Sequence, residues 1–372
     1  MKSDFPCVRR KMVIKKLTLK NFRNYEGETF CFSEGLNVLS GKNAQGKTNC
    51  AEAVFYLCTG SPLRIRHEKQ LIRFGQEKAY LCAETQTRAG TIKLEAEITE
   101  SGRTLFVNGN KISRFVDFLG HMTSVFFSPG ELRLVQDGPD ERRRFLNLSI
   151  SQTSPSYGAA LLRYQKILDQ RNNLLKSRDV DTVLATLPVW DEQLALYASR
   201  IVRARRDFIK QLSPLASTAH AELTDNRESL SVSADGNYPE TEEEIQKKLV
   251  REMAGAYERD IRLGYTTVGP HRDDLKILID GADARGYASQ GQTRTAALSL
   301  KLAEAEIFKM LTGEAPVLIL DDVMSELDLL RRKKLVERTQ GLQCILTCTH
   351  AERVLYGQEC TKIKISGGKI VP

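Results

Sequence analysis

Near its start the chain alternates. Val13-Ile14-Lys15-Lys16-Leu17-Thr18-Leu19 sends apolar side chains to one face and polar ones to the other, which predicts a half-buried strand. Similar alternation or short apolar runs at 27–32, 36–40, 79–86, 91–98 and 103–107 predict further strands, with Asn108-Gly109 as a hairpin turn. One helix is predicted among them, opening at Thr48 and reaching Leu57. After about Gly120 the period lengthens. Spacings such as Leu161, Leu162, Gln165, Leu168 and Leu194, Tyr197, Ile201 predict helices over 131–150, 156–178, 187–212 and 241–260. Ser231 to Pro239 reads as a polar, turn-rich connection, and Glu242-Glu243-Glu244 suits the positive end of a helix. Strands return at 275–279, 317–320, 344–348 and 362–365, with helices at 291–311 and 328–340 between them. Strand-rich ends around a helical middle predict a discontinuous α/β domain, 13–120 with 264–372, holding a mainly helical lobe or arm at 121–263.

The first strand-to-helix junction carries chemistry. Gly41-Lys42-Asn43-Ala44-Gln45-Gly46-Lys47-Thr48 fits the phosphate-loop pattern G-x-x-x-x-G-K-[ST] at every fixed position. Glycines let successive backbone N–H groups close around phosphate oxygens, and the helix that follows adds its positive end. Lys47 is expected to reach the β- and γ-phosphates of ATP, and Thr48 to ligate Mg²⁺. The matching acid comes late in the chain, where Val317-Leu318-Ile319-Leu320 ends in Asp321 and Asp322. Asp321 is the expected metal carboxylate, and Asp322 the group that orients or deprotonates an attacking water. His350 closes the next strand and is the candidate γ-phosphate sensor. Ser289-Gln290-Gly291-Gln292 opens a second helix and makes another anion site, with Ser289, Gly291 and Gln292 as candidate contacts. One active site rarely needs two such helix starts. The pair makes sense if Ser289 of one copy caps the ATP held by Gly41–Thr48 of another, so that ATP joins a two-fold dimer.

Composition adds a partner class. The 372 residues carry a net charge of +8, which favours a polyanion. Residues 151–260 hold 15 Lys and Arg against 17 Asp and Glu, so the positive excess belongs to the part that carries the nucleotide motifs. Arg142-Arg143-Arg144 reads equally as a phosphate contact or a salt-bridged helix face. Arg200, Arg203, Arg205 and Arg206 read as an exposed helix face. Lys15, Lys16 and Lys20 are further candidates to face a polyanion, and Arg23 and Asn24 to contact base or phosphate of the nucleotide. The mixed-sign run Gly269 to Asp274 reads as an internal polar network supporting the Ser289 region. Cys344 and Cys348 share a strand that reads as core, without metal-ligand spacing. No apolar run reaches about 18 residues and the start lacks a signal-peptide core, so a cytoplasmic protein without membrane contact is expected.

In order, phosphate loop, Ser-Gln-Gly-Gln, apolar-Asp-Asp, Ser325-Glu326-Leu327-Asp328 and His350 resemble the ABC-type ATPase heads of the SMC and Rad50 group. Within that group the chain is similar to the RecF family. The strings that carry this are Asn21-Phe22-Arg23-Asn24-Tyr25, the loop 41–49, Pro139 to Asn147, Gly269-Pro270-His271-Arg272-Asp273-Asp274-Leu275 and Ser325 to Asp328, across about residues 13 to 370. The resemblance implies a Rad50-like ATPase head with a helical lobe, an ATP-dependent homodimer, and binding to duplex DNA near single-strand gaps. It also implies work with RecR and RecO to place RecA, in repair, replication and SOS induction. Two departures stand out. Gly130 replaces an acid usual in the family, and no glutamine occupies the Q-loop position. Asp322 stands where most ABC ATPases carry Glu, so slow hydrolysis is expected. A transporter subunit would carry Leu-Ser-Gly-Gly-Gln, an SMC protein a long coiled coil, a nuclease a second acidic cluster, and a small-molecule kinase no use for 289–294.

Overall fold

Alternation at the start of the chain becomes sheet. In the computed structural model, which describes residues 11–63, 67–177, 179–350 and 359–372 (with no side-chain description at position 326), strand β1 (Val13–Phe22) buries Val13, Leu17 and Leu19. It lies between β2 (Tyr25–Cys31) and β4 (Lys78–Thr87), both antiparallel to it. The sheet continues through β5 (Gly90–Thr99), β6 (Gly102–Val107) and the short β7 (Asn110–Lys111), in the order β2-β1-β4-β5-β6-β7. Asn108 and Gly109 both take positive φ at the β6–β7 turn, as an Asn-Gly hairpin requires.

The middle of a second sheet is built from short, mostly apolar runs, the signature of strands covered on both faces, while toward one edge Lys362-Ile363-Lys364-Ile365 alternates exposed and buried positions. Its order is β15-β14-β3-β13-β12-β8, from β3 (Leu36–Ser40), β8 (Ser124–Phe127), β12 (Val317–Asp321), β13 (Cys344–Cys348), β14 (Cys360–Ser366) and β15 (Lys369–Val371). Only β15 runs antiparallel to its neighbour. Helix α1 (Lys47–Thr59) touches β4 and β5 of the first sheet and β8, β12 and β13 of the second. It is buried nearly all round, which suits a helix enclosed by two sheets. Cys344 and Cys348 are buried core side chains, as their strand predicts. Cys7 lies outside the described residues.

These elements belong to one compact unit, the chain up to Leu132 together with Ala297–Pro372; Arg133–Ala296 forms the other. In the second unit, α2 (Arg133–Gln136) and α3 (Pro139–Thr153) replace the single helix predicted over 131–150, because Gly138 and Pro139 break the run. Helix α4 (Pro155–Leu175) packs on α5 (Val180–Thr224), a 45-residue helix that outruns the predicted 187–212 at both ends. Pro188 and Pro214 sit inside it. Each proline costs ~3 kcal/mol in a free helix, but here the buried stripe from Val183 and Leu187 to Leu212, Ala216 and Leu223 runs straight through both sites.

The stretch 231–239, expected to be a polar, turn-rich connection, overlaps strand β9 (Leu230–Asp235). Its Leu-Ser-Val-Ser alternation buries Leu230 and Val232 and exposes the serines. It pairs with β10 (Asp274–Ile279), which also pairs with β11 (Ala282–Asp283). The helix predicted over 241–260 is two, α6 (Glu242–Ala254) and α7 (Tyr257–Leu263), separated at Gly255. Thr241 and Glu244 form a capping box at the start of α6. Helix α8 (Ala284–Tyr287) leads to α9 (Gln290–Thr312), and α10 (Leu329–Arg338) follows β12 in the first unit. Among the described residues no helix is long and apolar enough to cross a membrane.

Candidate functional site

Between β3 and α1 the chain takes backbone angles that only glycine holds without strain. Gly41 has φ 150°, and a Cβ there would collide with the Ile365 carbonyl oxygen. Gly46 has φ 119°, and its Cβ would press on Tyr25 Oη at 2.8 Å and the Asn24 amide at 2.9 Å. These contacts come from the turn between β1 and β2. Tyr25 Oη donates to the Gly46 carbonyl at 2.8 Å, Asn24 Nδ2 donates to the Gln45 carbonyl at 2.9 Å, and Asn49 Nδ2 donates back to Asn24 Oδ1 at 2.8 Å. Asn24 is thus spent on shaping the loop. Arg23 is spent too: its guanidinium forms a two-point pair with Glu52 on α1, at 2.9 and 3.1 Å.

Lys47 opens α1 and curls back, with Nζ donating to the carbonyls of Gly41 at 2.7 Å and Lys42 at 2.8 Å. Burial lowers its pKa, while the nearby carboxylates of Asp322 and Asp321 pull in the other direction. Thr48 Oγ1 donates to Asp321 Oδ1 at 2.8 Å. The apolar strand β12 delivers that carboxylate almost fully buried, at 1% exposure. Opposite it on β13, Thr347 Oγ1 donates to the same Oδ1 at 2.8 Å and accepts from the Asp322 backbone N–H at 3.0 Å. Asp322 sits in the left-handed region at φ 55°, turning an exposed carboxylate out of the strand just where the chain leaves the sheet. Ser325 Oγ closes the following turn on the Asp322 carbonyl at 2.8 Å, and Asp328 caps α10.

These groups line one cavity of about 490 Å³, with Asn43, Lys47, Thr48, Asp321, Asp322 and Thr347 on its wall. Ser128, Pro129 and Gly130 line it as well. The sequence leaves the Q-loop position unassigned; the structure places the loop after β8 in the cavity, with Ser128 accepting the Gly130 N–H at 3.2 Å. Thr347 is the residue that sequence reasoning passes over. Its signal is a hydroxyl in the middle of an otherwise apolar strand. His350 lies two residues beyond β13 and is exposed.

Ser289 belongs to the second unit. Its N–H donates to Gln292 Oε1 at 2.9 Å and its Oγ accepts from the Gln292 N–H at 3.2 Å, a reciprocal box at the start of α9. Ser289, Gln290 and Gly291 are exposed. In the same unit Arg142 is buried in a two-point pair with Asp274, at 2.6 and 2.8 Å, and Arg143 donates to the Asp273 carbonyl at 2.8 Å. Of the two readings of that triplet, these two side chains take the ion-paired one. The exposed-face reading of 200–206 fails at Arg205, which is 6% exposed and donates to the Pro270 carbonyl, Tyr157 Oη and Asn147 Oδ1. It was hidden in the sequence because its partners lie 48 to 65 residues away.

In the run 269–274, Gly269 and Pro270 are buried, His271, Asp273 and Asp274 are half-buried, and Arg272 is exposed. His271 Nε2 donates to the Thr266 carbonyl at 3.0 Å, which leaves Nδ1 to accept from Tyr164 Oη at 2.5 Å. Burial pushes the imidazole down to about 4, and it is neutral at pH 7. Burial also pushes the Asp273 carboxyl up to about 6, against the opposing hydrogen bond from Tyr238 Oη at 2.9 Å. Among the described residues no cluster of His, Cys, Asp and Glu has the makings of a separate metal site.

Known proteins share both the sequence and the fold. The family described as RecF/RecN/SMC N terminal domain matches residues 13–370. The chain is 42% identical over 343 residues to the DNA replication and repair protein RecF of Lachnoclostridium phytofermentans, covering 92% of this chain and 94% of that one. It is 40% identical over 346 residues to the same-named protein of Streptococcus pneumoniae, with the same coverage. Among solved structures it is similar to the recombination mediator protein RecF-ATP in the RecFOR pathway, at TM-score 0.89, 35% identity and 99% coverage of both chains. A Pyrococcus furiosus Smc head domain superposes at TM-score 0.57 with 16% identity over 97% of this chain and 96% of that one, a likeness of fold alone.

Proposed function

The chain belongs to the RecF family, and from that premise we propose that it is an ATP-dependent DNA-binding protein of recombinational repair. Its fold is an ABC-type ATPase head with an inserted, mainly helical lobe. The observation that carries the reading is the convergence of Thr48 and Thr347 on buried Asp321, at the foot of a glycine loop whose lysine donates to the backbone carbonyls of Gly41 and Lys42. ATP phosphates would take Lys47 from those carbonyls and receive the loop's N–H groups.

Thr48 Oγ1 and an Asp321 carboxylate oxygen, 2.8 Å apart, are the hard oxygen donors that Mg²⁺ prefers. When bound, the ion would neutralise charge developing on the phosphates. Asp322 then holds the attacking water, positioned through its N–H on Thr347. His350 senses the γ-phosphate, and Ser289 and Gly291 of a second copy close over the nucleotide, with Gln292 holding the turn. A single-carbon carboxylate stem at Asp322 reaches less far than Glu, which supports slow hydrolysis. ATP binding joins two heads, their basic surface grips duplex DNA near single-strand gaps, and hydrolysis releases it. RecO and RecR are the partners with which it places RecA, in support of replication and SOS induction.

Sizing by light scattering with ATP and Mg²⁺, with and without a gapped duplex, tests the scheme. The expected result is an ATP-dependent doubling of mass and ATP-dependent retention of DNA. Ser289→Arg should bind ATP normally yet stay monomeric; an unaffected dimer would refute the trans-acting serine.

A further inference from the structure

One edge of the second sheet also holds the phosphate loop. Strand β14 runs parallel to β3, with Lys364 opposite Ser40, and continues past the end of β3 alongside the loop, where the Ile365 carbonyl faces Gly41. It then turns back through Gly367 and Gly368, both at positive φ (57° and 75°), into β15. Both turn amides are used on one residue of the loop. Gly367 N–H donates to Gln45 Oε1 at 2.6 Å, and Gly368 N–H donates to the Gln45 carbonyl at 3.0 Å. That carbonyl also accepts from Asn24 Nδ2 at 2.9 Å. Ile370 N–H on β15 donates to Glu28 Oε2 on β2, at 2.9 Å, so the hairpin is itself moored to the strand pair that supplies Asn24.

Two donors on one carbonyl fix the orientation of its peptide plane. The chain has no cis peptide bond among the described residues, so the N–H of Gly46 points opposite to the carbonyl of Gln45. Gly46 lines the nucleotide cavity; Gln45 does not. With glycine on its far side this peptide flips more readily than one between two residues that carry side chains. A flip would turn a carbonyl toward the phosphates in place of a donor.

We propose that the C-terminal hairpin turn is a positioning element of the nucleotide site: Gly367 and Gly368 pin Gln45 so that the Gly46 N–H is preset for a phosphate oxygen. This rests on reading Gly41–Thr48 as an ATP loop. The part is positional, since neither glycine touches the nucleotide.

A glycine outside the site supplies the control. Gly109, in the β6–β7 turn, has φ 79° and open space for 4 Å around the point where a Cβ would stand, whereas at buried Gly368, φ 75°, a Cβ would come within 2.6 Å of the Asn24 carbonyl oxygen. Gly109→Ala and Gly368→Ala share the cost of a side chain at positive φ, but only the second pushes on the group that holds Gln45. Titrating the full chain with a fluorescent ATP analogue should show roughly tenfold weaker binding for Gly368→Ala and less than a twofold change for Gly109→Ala. Melting temperatures are compared alongside. Equal affinities in the two variants would overturn the proposal.

Should Gly368→Ala not fold, the unsubstituted protein gives the answer by hydrogen exchange. Coupling between sites is reciprocal, so ATP must slow exchange of the Gly367 and Gly368 amides several-fold. Exchange unchanged by ATP would overturn the proposal. Failure of the unsubstituted chain to bind ATP at all would overturn both this inference and the reading of the loop beneath it.

Discussion

Thr347 shows how much one hydroxyl can hold. It satisfies the carboxylate of Asp321 and the backbone N–H of Asp322 at once, in a fully buried position. Thr347→Val keeps the shape and leaves both groups short of a partner, which should cost about 1–3 kcal/mol of stability. ATP turnover should fall further than ATP affinity, because the substitution loosens Asp322 while leaving Lys47 and the glycine loop in place; steady-state kinetics beside equilibrium binding would separate the two. The pair His271 and Asp273 carries opposite pH dependences. The Asp273 carboxyl, raised to about 6, contributes stability that is present below pH 4 and lost as pH rises to 6. The His271 imidazole, lowered to about 4, destabilises the fold increasingly as pH falls from 6.5 to 4. Each shift corresponds to about 3 kcal/mol, so between pH 4 and 6 they nearly cancel. Asp273→Asn removes one of these two opposing contributions, so the urea midpoint should rise more steeply between pH 4 and 6 in the variant than in the parent.

At the scale of elements, helices α4, α5 and α7 meet around one buried charge. Arg171, at 0% exposure, donates to Asp191 at 2.7 Å, Asp260 at 2.8 Å and Thr266 Oγ1 at 2.9 Å, and Tyr257 Oη donates to Asp191 at 2.7 Å. Removing the arginine leaves two buried carboxylates without their cation. Arg171→Met should therefore destabilise the second unit by about 3–5 kcal/mol, read from denaturant unfolding of the fluorescence of Trp190, the only tryptophan and the neighbour of Asp191. Elements of this kind explain what the sequence made legible. The core strands β3, β12 and β13 and the loop at 41–48 announce themselves by short, mostly apolar runs and fixed glycines, which are local properties. Strand β8 did not, because Ser-Val-Phe-Phe is too short to show a period. The ends of α5 were hidden by prolines whose local penalty is outweighed by packing. Arg205, Thr347 and the Ser128 loop gain their meaning only from partners far along the chain.

For the molecule as a whole, the positive excess in the sequence lies outside residues 151–260. Some of that charge is already internally paired: Lys15 with Glu34, Arg23 with Glu52, Arg103 with Glu68. DNA binding should accordingly rest on the remaining lysines and arginines and on phosphate neutralisation. The logarithm of the association constant is expected to fall linearly with the logarithm of salt concentration, with little change between duplexes of different sequence. Fluorescence anisotropy across a salt series in the presence of ATP would check this; strong base preference or salt-independent binding would contradict it.

The placing of β3 also has a consequence in time. This strand, which leads into the phosphate loop, is flanked by β13 and β14, and Leu36 pairs with Cys344, 308 residues later. At about 5–20 residues per second of synthesis, an emerging chain waits roughly 15–60 s between making its loop and making the strands that shape it. During that interval the apolar run Leu36–Leu39 has no sheet to join. A nascent chain of this kind completes the frame of its phosphate loop only after residues 344–366 have emerged, and until then depends on whatever shields an unpaired strand.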